Sequence, residues 1–133
     1  MDLRLVALFS VLGISALGLS TTARAADCNT LPLGTNLPCD GCTYESGFST
    51  RRDESCSASL QTAAGAFKGS TLAYLDSRII VRAKHGIAGT SGNGIAYSPN
   101  KGYIGQDDFV VEKAFQLNGR TGRYKIHYHV DVQ

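Results

Sequence analysis

The chain has 133 residues, of which 43% are hydrophobic and 18% charged, and its net charge is +2. That length holds one globular domain rather than two, and the apolar content excludes a mostly disordered chain. The mild charge argues against nucleic acid as the principal partner.

Leu5 to Leu19 is an almost unbroken apolar stretch, followed by Ser20, Thr21 and Thr22 and by the small-x-small triplet Ala23-Arg24-Ala25. This pattern predicts that residues 1–25 are a secretory signal peptide cleaved after Ala25. The apolar run is shorter than the ~20 residues that cross a bilayer, so no stable membrane span is expected after cleavage. The mature protein is expected to be periplasmic or secreted. About a hundred residues then remain, near the lower limit for folding without covalent help. All four cysteines, Cys28, Cys39, Cys42 and Cys56, lie in that part. An even count in an oxidising compartment reads as two disulfides. Connectivity is open at this point, with short local loops favouring Cys28–Cys39 and Cys42–Cys56.

Residues 26–43 carry Pro32, Gly34, Asn36 and Pro38 without any period and read as an irregular arm tethered by cysteines. From Tyr44 a loose alternation puts Tyr44 and Phe48 on one face. Residues 57–67 are rich in Ala and Gly and suit either one helical turn or a loop. From Leu72 the pattern is β: Ile79, Val81 and Ala83 alternate with Ile80, Arg82 and Lys84. Ser91-Gly92-Asn93-Gly94 marks a turn, Ile95 and Tyr97 alternate after it, and Phe109 and Val111 open a further strand. Asn118-Gly119, with Gly122, signals a hairpin. Beyond it Tyr124, Ile126, Tyr128, Val130 and Val132 share one face, and Lys125, His127, His129 and Asp131 the other. Short strands, Gly-rich turns and no βαβ alternation predict an all-β fold, an antiparallel sandwich over residues 44–133. Its expected core is Phe48, Ile79, Val81, Ile95, Tyr97, Phe109, Val111, Ile126, Tyr128 and Val130.

Residues 97–109 read YSPNKGYIGQDDF. This resembles the Y-x-P-x-x-G-[FY]-x-G-x-D-x-F signature of bacterial immunoglobulin-like and cadherin-like domains, matching at Tyr97, Pro99, Gly102, Tyr103, Gly105, Asp107 and Phe109. Lys84-His85-Gly86 is similar to the step that leads into that hairpin. The resemblance spans about residues 78–133 and implies an Ig-like β-sandwich of secreted or surface proteins, without catalysis. The residues themselves suggest an architectural motif: Pro99 and Gly102 turn the chain, Gly105 bends it again, and Asp107 accepts backbone N–H groups.

Several side-chain sets bear on chemistry. Cys39 and Cys42 have the C-x-x-C spacing of thiol–disulfide oxidoreductases, but no helix pattern follows to stabilise a thiolate. His127, His129 and Asp131 point to one face of a strand, and two imidazoles there bind Zn²⁺ or Cu²⁺ if a neighbouring strand adds a ligand. Asp107-Asp108 lacks the oxygen-rich loop of a calcium site. Arg51-Arg52 is offset by Asp53-Glu54, while Arg120 and Arg123 sit at a loop tip suited to a phosphate or glycan. No nucleophile motif accompanies the histidines. The leading expectation is a non-catalytic extracytoplasmic module, without cofactor, that contacts a protein or glycan. The alternatives are a small periplasmic metal-binding protein using His127 and His129, and a thiol oxidoreductase at Cys39 and Cys42.

Overall fold

Alternating side chains need two apolar faces to bury, and two sheets supply them here. The computed structural model describes residues 26–30, 38–59, 72–92 and 94–133. The signal peptide reading (1–25), the middle of the arm (31–37), most of the Ala/Gly-rich segment (60–71) and Asn93 lie outside the described residues. The strands are β1 (Ala26–Asp27), β2 (Thr43–Thr50), β3 (Cys56–Ser59), β4 (Leu72–Val81), β5 (Gly86–Ser91), β6 (Gly94–Pro99), β7 (Gly105–Leu117) and β8 (Arg120–Val132). They form two four-stranded sheets, in the orders β1-β3-β6-β5 and β2-β8-β7-β4. The protein is all-β, and no helix occurs among the described residues, hence none long and apolar enough to cross a membrane.

The β7–β8 hairpin is the longest pairing, running from Gly105↔Val132 to Leu117↔Arg120. Its two-residue turn has positive φ at both Asn118 (50°) and Gly119 (82°), as the right-handed twist of a tight hairpin requires. Tyr124, Ile126, Tyr128, Val130 and Val132 of β8 are all buried, as their alternation implies. Tyr97 of the first sheet meets Phe48 and Phe109 of the second, with ring centroids 5.7 and 6.0 Å apart, and Phe109 stacks on Tyr128 at 5.1 Å. The sheets therefore face each other through aromatic side chains.

Four expectations are corrected. The sandwich is not purely antiparallel, because β2 runs parallel to β8 and β1 parallel to β3. A hairpin forces its strands to oppose, whereas Thr43 and Lys125 are remote in sequence and no connection dictates their direction. The arm is not wholly irregular: it contributes β1, and Cys28 is buried in the core. The disulfides are Cys28–Cys56 and Cys39–Cys42. Parallel pairing of β1 with β3 brings the segment that carries Cys28 alongside Cys56, with Cα atoms 4.9 Å apart, so strand pairing overrides loop length. Val81 is exposed (46%), because a register irregularity between Ile79 and Val81 at the end of β4 breaks the alternation. Ile79 is partly buried against the core, and the other eight expected core residues are buried.

Lys113 of β7 was not anticipated inside. It is buried with its Nζ 4.6 Å from the centre of the Tyr74 ring, and burial pushes its ammonium down to about 8.

Candidate metal centre

The inward face of β8 fills the core, so its outward face presents His127 and His129, whose rings lie 4.2 Å apart. Parallel pairing sets Glu45 of β2 opposite His127 and Gly47 opposite His129. Gly47 permits this close approach, since a Cβ there would stand 2.8 Å from the His129 carbonyl oxygen. Glu45 reaches between the rings: its Oε2 lies 2.6 Å from His129 Nε2 and 3.3 Å from His127 Nδ1. On the far side, His127 Nε2–H donates to Asp108 Oδ2 of β7 at 3.0 Å. Both ring nitrogens of His127 thus face carboxylate oxygens, Nε2 that of Asp108 and Nδ1 that of Glu45. An ion seated between Glu45 and His127 would take the Nδ1 lone pair while Asp108 accepts the Nε2 proton.

Glu45, His127 and His129 together offer three ligand atoms within 4.8 Å of one another. A tetrahedral zinc ion with bonds of ~2.0–2.2 Å needs ligand atoms roughly 3.3–3.5 Å apart. The Glu45 and His129 side chains are 62% and 56% exposed, so small rotations into solvent bring the set to that spacing. An ion would replace the proton that His129 and Glu45 share. Asp131, expected on this face, turns away from the cluster and accepts from Gln106 Nε2 (3.0 Å) and Gln133 Nε2 (3.2 Å). Beside β2, a cavity of about 430 Å³ is lined by His129, Asn29, Gln106 and Asp131 together with the core residues Cys28, Phe48 and Val130.

The turn-motif residues lie elsewhere. Asp107 points inward, opposite to Asp108. Its Oδ1 accepts Lys84 N (3.0 Å) and its own neighbour's N–H (Asp108, 2.9 Å). Its Oδ2 accepts His85 N (3.0 Å) and the buried Tyr97 hydroxyl (2.8 Å). Burial pushes the Asp107 carboxyl up, but these hydrogen bonds together outweigh it and hold the group below the usual carboxylate range. Burial, then Asp107 itself, raises the Tyr97 hydroxyl far above its ordinary value. Pro99 is buried at the end of β6, and Gly102 turns with φ 79°. Tyr103 donates to the Gln106 carbonyl (2.5 Å) and stacks on His85 at 4.2 Å. Gly105 has φ 138°, and Phe109 is fully buried. Gly86 lies where a Cβ would stand 2.6 Å from the Ser98 carbonyl oxygen, which explains the Lys-His-Gly step.

Cys39 and Cys42 are bonded across a turn at Asp40-Gly41, and the chain continues directly into β2. No helix N-terminus, the usual means of lowering a C-x-x-C thiol, follows the pair among the described residues. Arg123 is engaged by Glu112 (3.2 Å) and Asp76 (3.8 Å), while Arg120 is exposed at the start of β8. Arg78 also binds Glu112 at 2.6 Å. The hydrogen bond from Arg78, helped by Arg123, keeps the Glu112 carboxyl below its ordinary range against a smaller opposing effect of burial.

Sequence reasoning found the two histidines and the need for a ligand from a neighbouring strand, but missed Glu45 and the orienting Asp108. The outward position of Glu45 follows from the Tyr44/Phe48 alternation. Its partner strand does not.

No protein-family model matches the chain, and no curated protein matches it. Among solved structures, one similar chain is an endo-fucoidan hydrolase of glycoside hydrolase family 107, at 9% identity and a TM-score of 0.24. The match covers 67% of this chain and 13% of that one, so this chain spans only a small part of the hydrolase.

Proposed function

We propose that this protein is a non-catalytic, extracytoplasmic Ig-like module that binds a divalent transition-metal ion, Zn²⁺ or Cu²⁺, through Glu45, His127 and His129. The observation that carries the reading is the convergence of Glu45 Oε2 on both imidazoles, with the Asp108 carboxylate behind His127 Nε2. Imidazole and carboxylate suit these ions, and a carboxylate behind a ligating histidine is their usual support. Three protein ligands leave a fourth coordination position for water or another small ligand.

The Ig-like assignment draws support from strand order. An Ig domain divides its strands as A-B-E-D and C-F-G. The orders β1-β3-β6-β5 and β4-β7-β8 follow that plan if β1 is A and β8 is G, with β2 added beside G.

The test is calorimetric titration of tag-free protein with Zn²⁺ and Cu²⁺. Dissociation constants on the order of micromolar are expected. His129→Ala should abolish binding, and Asp108→Asn should weaken it about tenfold or more while the ligands remain in place. Affinity should also fall on acidification, as protons compete for the same lone pairs. A His129→Ala protein that binds the ion as tightly as the wild type refutes the site.

A further inference from the structure

The near-neutral chain gathers a group of cations without ion-pair partners among the described residues at one end of the sandwich. Three loops meet at one end of the sandwich: residues 51–55 after β2, 82–85 after β4 and 100–104 after β6. Their backbones are tied together. Asn100 N donates to the His85 carbonyl (2.8 Å), Gly102 N donates to Asp53 Oδ1 (2.7 Å), and Arg52 N donates to the Gln133 carbonyl (2.6 Å). Asp107 anchors the 82–85 loop through Lys84 N and His85 N.

This end displays Arg51, Arg52, Arg82, Lys84 and Lys101, all exposed. The exposed carboxylates beside them are Asp53 and Glu54, of which Asp53 is occupied by Gly102 N and lies 4.0 Å from Arg52. Among the described residues, Arg51, Arg82, Lys84 and Lys101 make no ion pair. Glu45, Asp76, Asp108 and Glu112 lie instead on the outward face of the β2-β8-β7-β4 sheet, engaged with the histidines or with Arg78 and Arg123, while Asp131, close to this end of β8, is occupied by Gln106 and Gln133. The basic end also exposes apolar side chains: Ile87 (74%) at the start of β5, Ile104 (59%) before β7, and Val81 (46%) at the end of β4.

We infer that this end docks the protein on an anionic lipid bilayer, with the cations meeting headgroup phosphates and Ile104 and Ile87 entering the interface. A soluble polyanion would satisfy the cations but offers no medium for the isoleucines, whereas a bilayer surface receives both. Hydrogen bonding among the loops fixes the backbone that bears these side chains, so little ordering is needed on contact. The interaction is peripheral and leaves the sandwich intact. It is independent of the metal centre, which lies along the β2–β8 pair.

Co-sedimentation with vesicles rich in phosphatidylglycerol tests this, against vesicles of phosphatidylcholine alone. All proteins compared must share one N terminus, checked by intact mass, so that an apolar leader contributes equally. Each cation near an anionic surface contributes about a fivefold factor in partitioning. Lys84→Glu with Lys101→Glu should therefore lower partitioning by more than ~25-fold, with circular dichroism and Zn²⁺ titration unchanged. Ile104→Ser should lower it about fivefold, and Arg120→Glu, away from this end, should not. Equal binding to both vesicle types, or insensitivity to the Lys84/Lys101 reversal, overturns the proposal. So does tight binding to dextran sulfate together with no effect of Ile104→Ser on vesicles, which would mark a charge-only site for soluble polyanions.

Discussion

Asp107 is the most connected side chain in the turn motif, and its replacement tests whether the motif is architectural. In Asp107→Ala, the Tyr97 hydroxyl and the Lys84 and His85 amides lose their acceptor. A hydrogen bond to a charged group contributes ~1.5–3 kcal/mol, and an orphaned buried donor costs ~1–3 kcal/mol. Only the Tyr97 hydroxyl is fully enclosed, and the two amides are part-buried, so the expected loss is about 3–5 kcal/mol. That is a large share of the ~5–15 kcal/mol a small domain possesses. Asp107→Asn should cost roughly half as much. Its oxygen can serve Lys84 and Asp108 while the Tyr97 hydroxyl rotates to accept from the new amide, leaving His85 N–H unsatisfied. Urea unfolding with disulfides intact, followed by far-ultraviolet circular dichroism, reads both values. A depressed carboxyl stabilises the fold above the ordinary carboxylate range and ceases to do so as pH falls through its lowered value. The gap between wild type and Asp107→Asn should therefore narrow in acid. An Asp107→Ala protein within about 1 kcal/mol of wild type, or a gap that widens in acid, would refute the reasoning.

Two further outcomes follow from the core. Lys113 titrates near 8 when folded and at 10.5 when unfolded, so the unfolded chain binds more protons between those values and stability should rise there by about 1–3 kcal/mol. Buried Tyr97, Tyr124 and Tyr128, all pushed up by burial, should reverse the trend above pH 10. Stability measured against pH should lose the rise in Lys113→Met. The two disulfides should also differ: opening Cys28–Cys56, 28 residues apart, costs about 3.5 kcal/mol by loop entropy, and opening Cys39–Cys42 about 2 kcal/mol. Double Cys→Ala variants compared by melting check this, and equal losses would contradict it.

How far the sequence reveals this protein depends on the range of each signal. β8 is legible because its period-two pattern is local and uninterrupted. Tyr97, Phe109 and Asp107 are legible because turn glycines and a proline fix their spacing. What stays hidden is contact between remote segments. The β2–β8 register joins residues some eighty positions apart, and only that register unites Glu45 with the histidines. The cysteine pairing fails for the same reason, since it follows from β1 lying beside β3. Val81 departs from its pattern through a backbone irregularity that side-chain periodicity does not record. Lys113 is hidden by its charge, which composition rules place outside.

The strand that ends at Val132 is bonded on both sides, to β2 and to β7, and carries five of the buried core residues. During synthesis the ribosome therefore delivers the central strand of this sheet after both of its neighbours. Until it emerges, β2 has no partner in its sheet, and Phe48 and Phe109 have no Tyr128 to close over them. Such a chain gains its non-local contacts almost at once, and late, rather than segment by segment. The same order makes the sheet sensitive to loss of β8. A stop codon before Tyr128 would remove the Tyr128–Val132 part of β8, leaving Ser46–Thr50 and Gly105–Phe109 without their sheet partner and the core without Tyr128, Val130 and Val132.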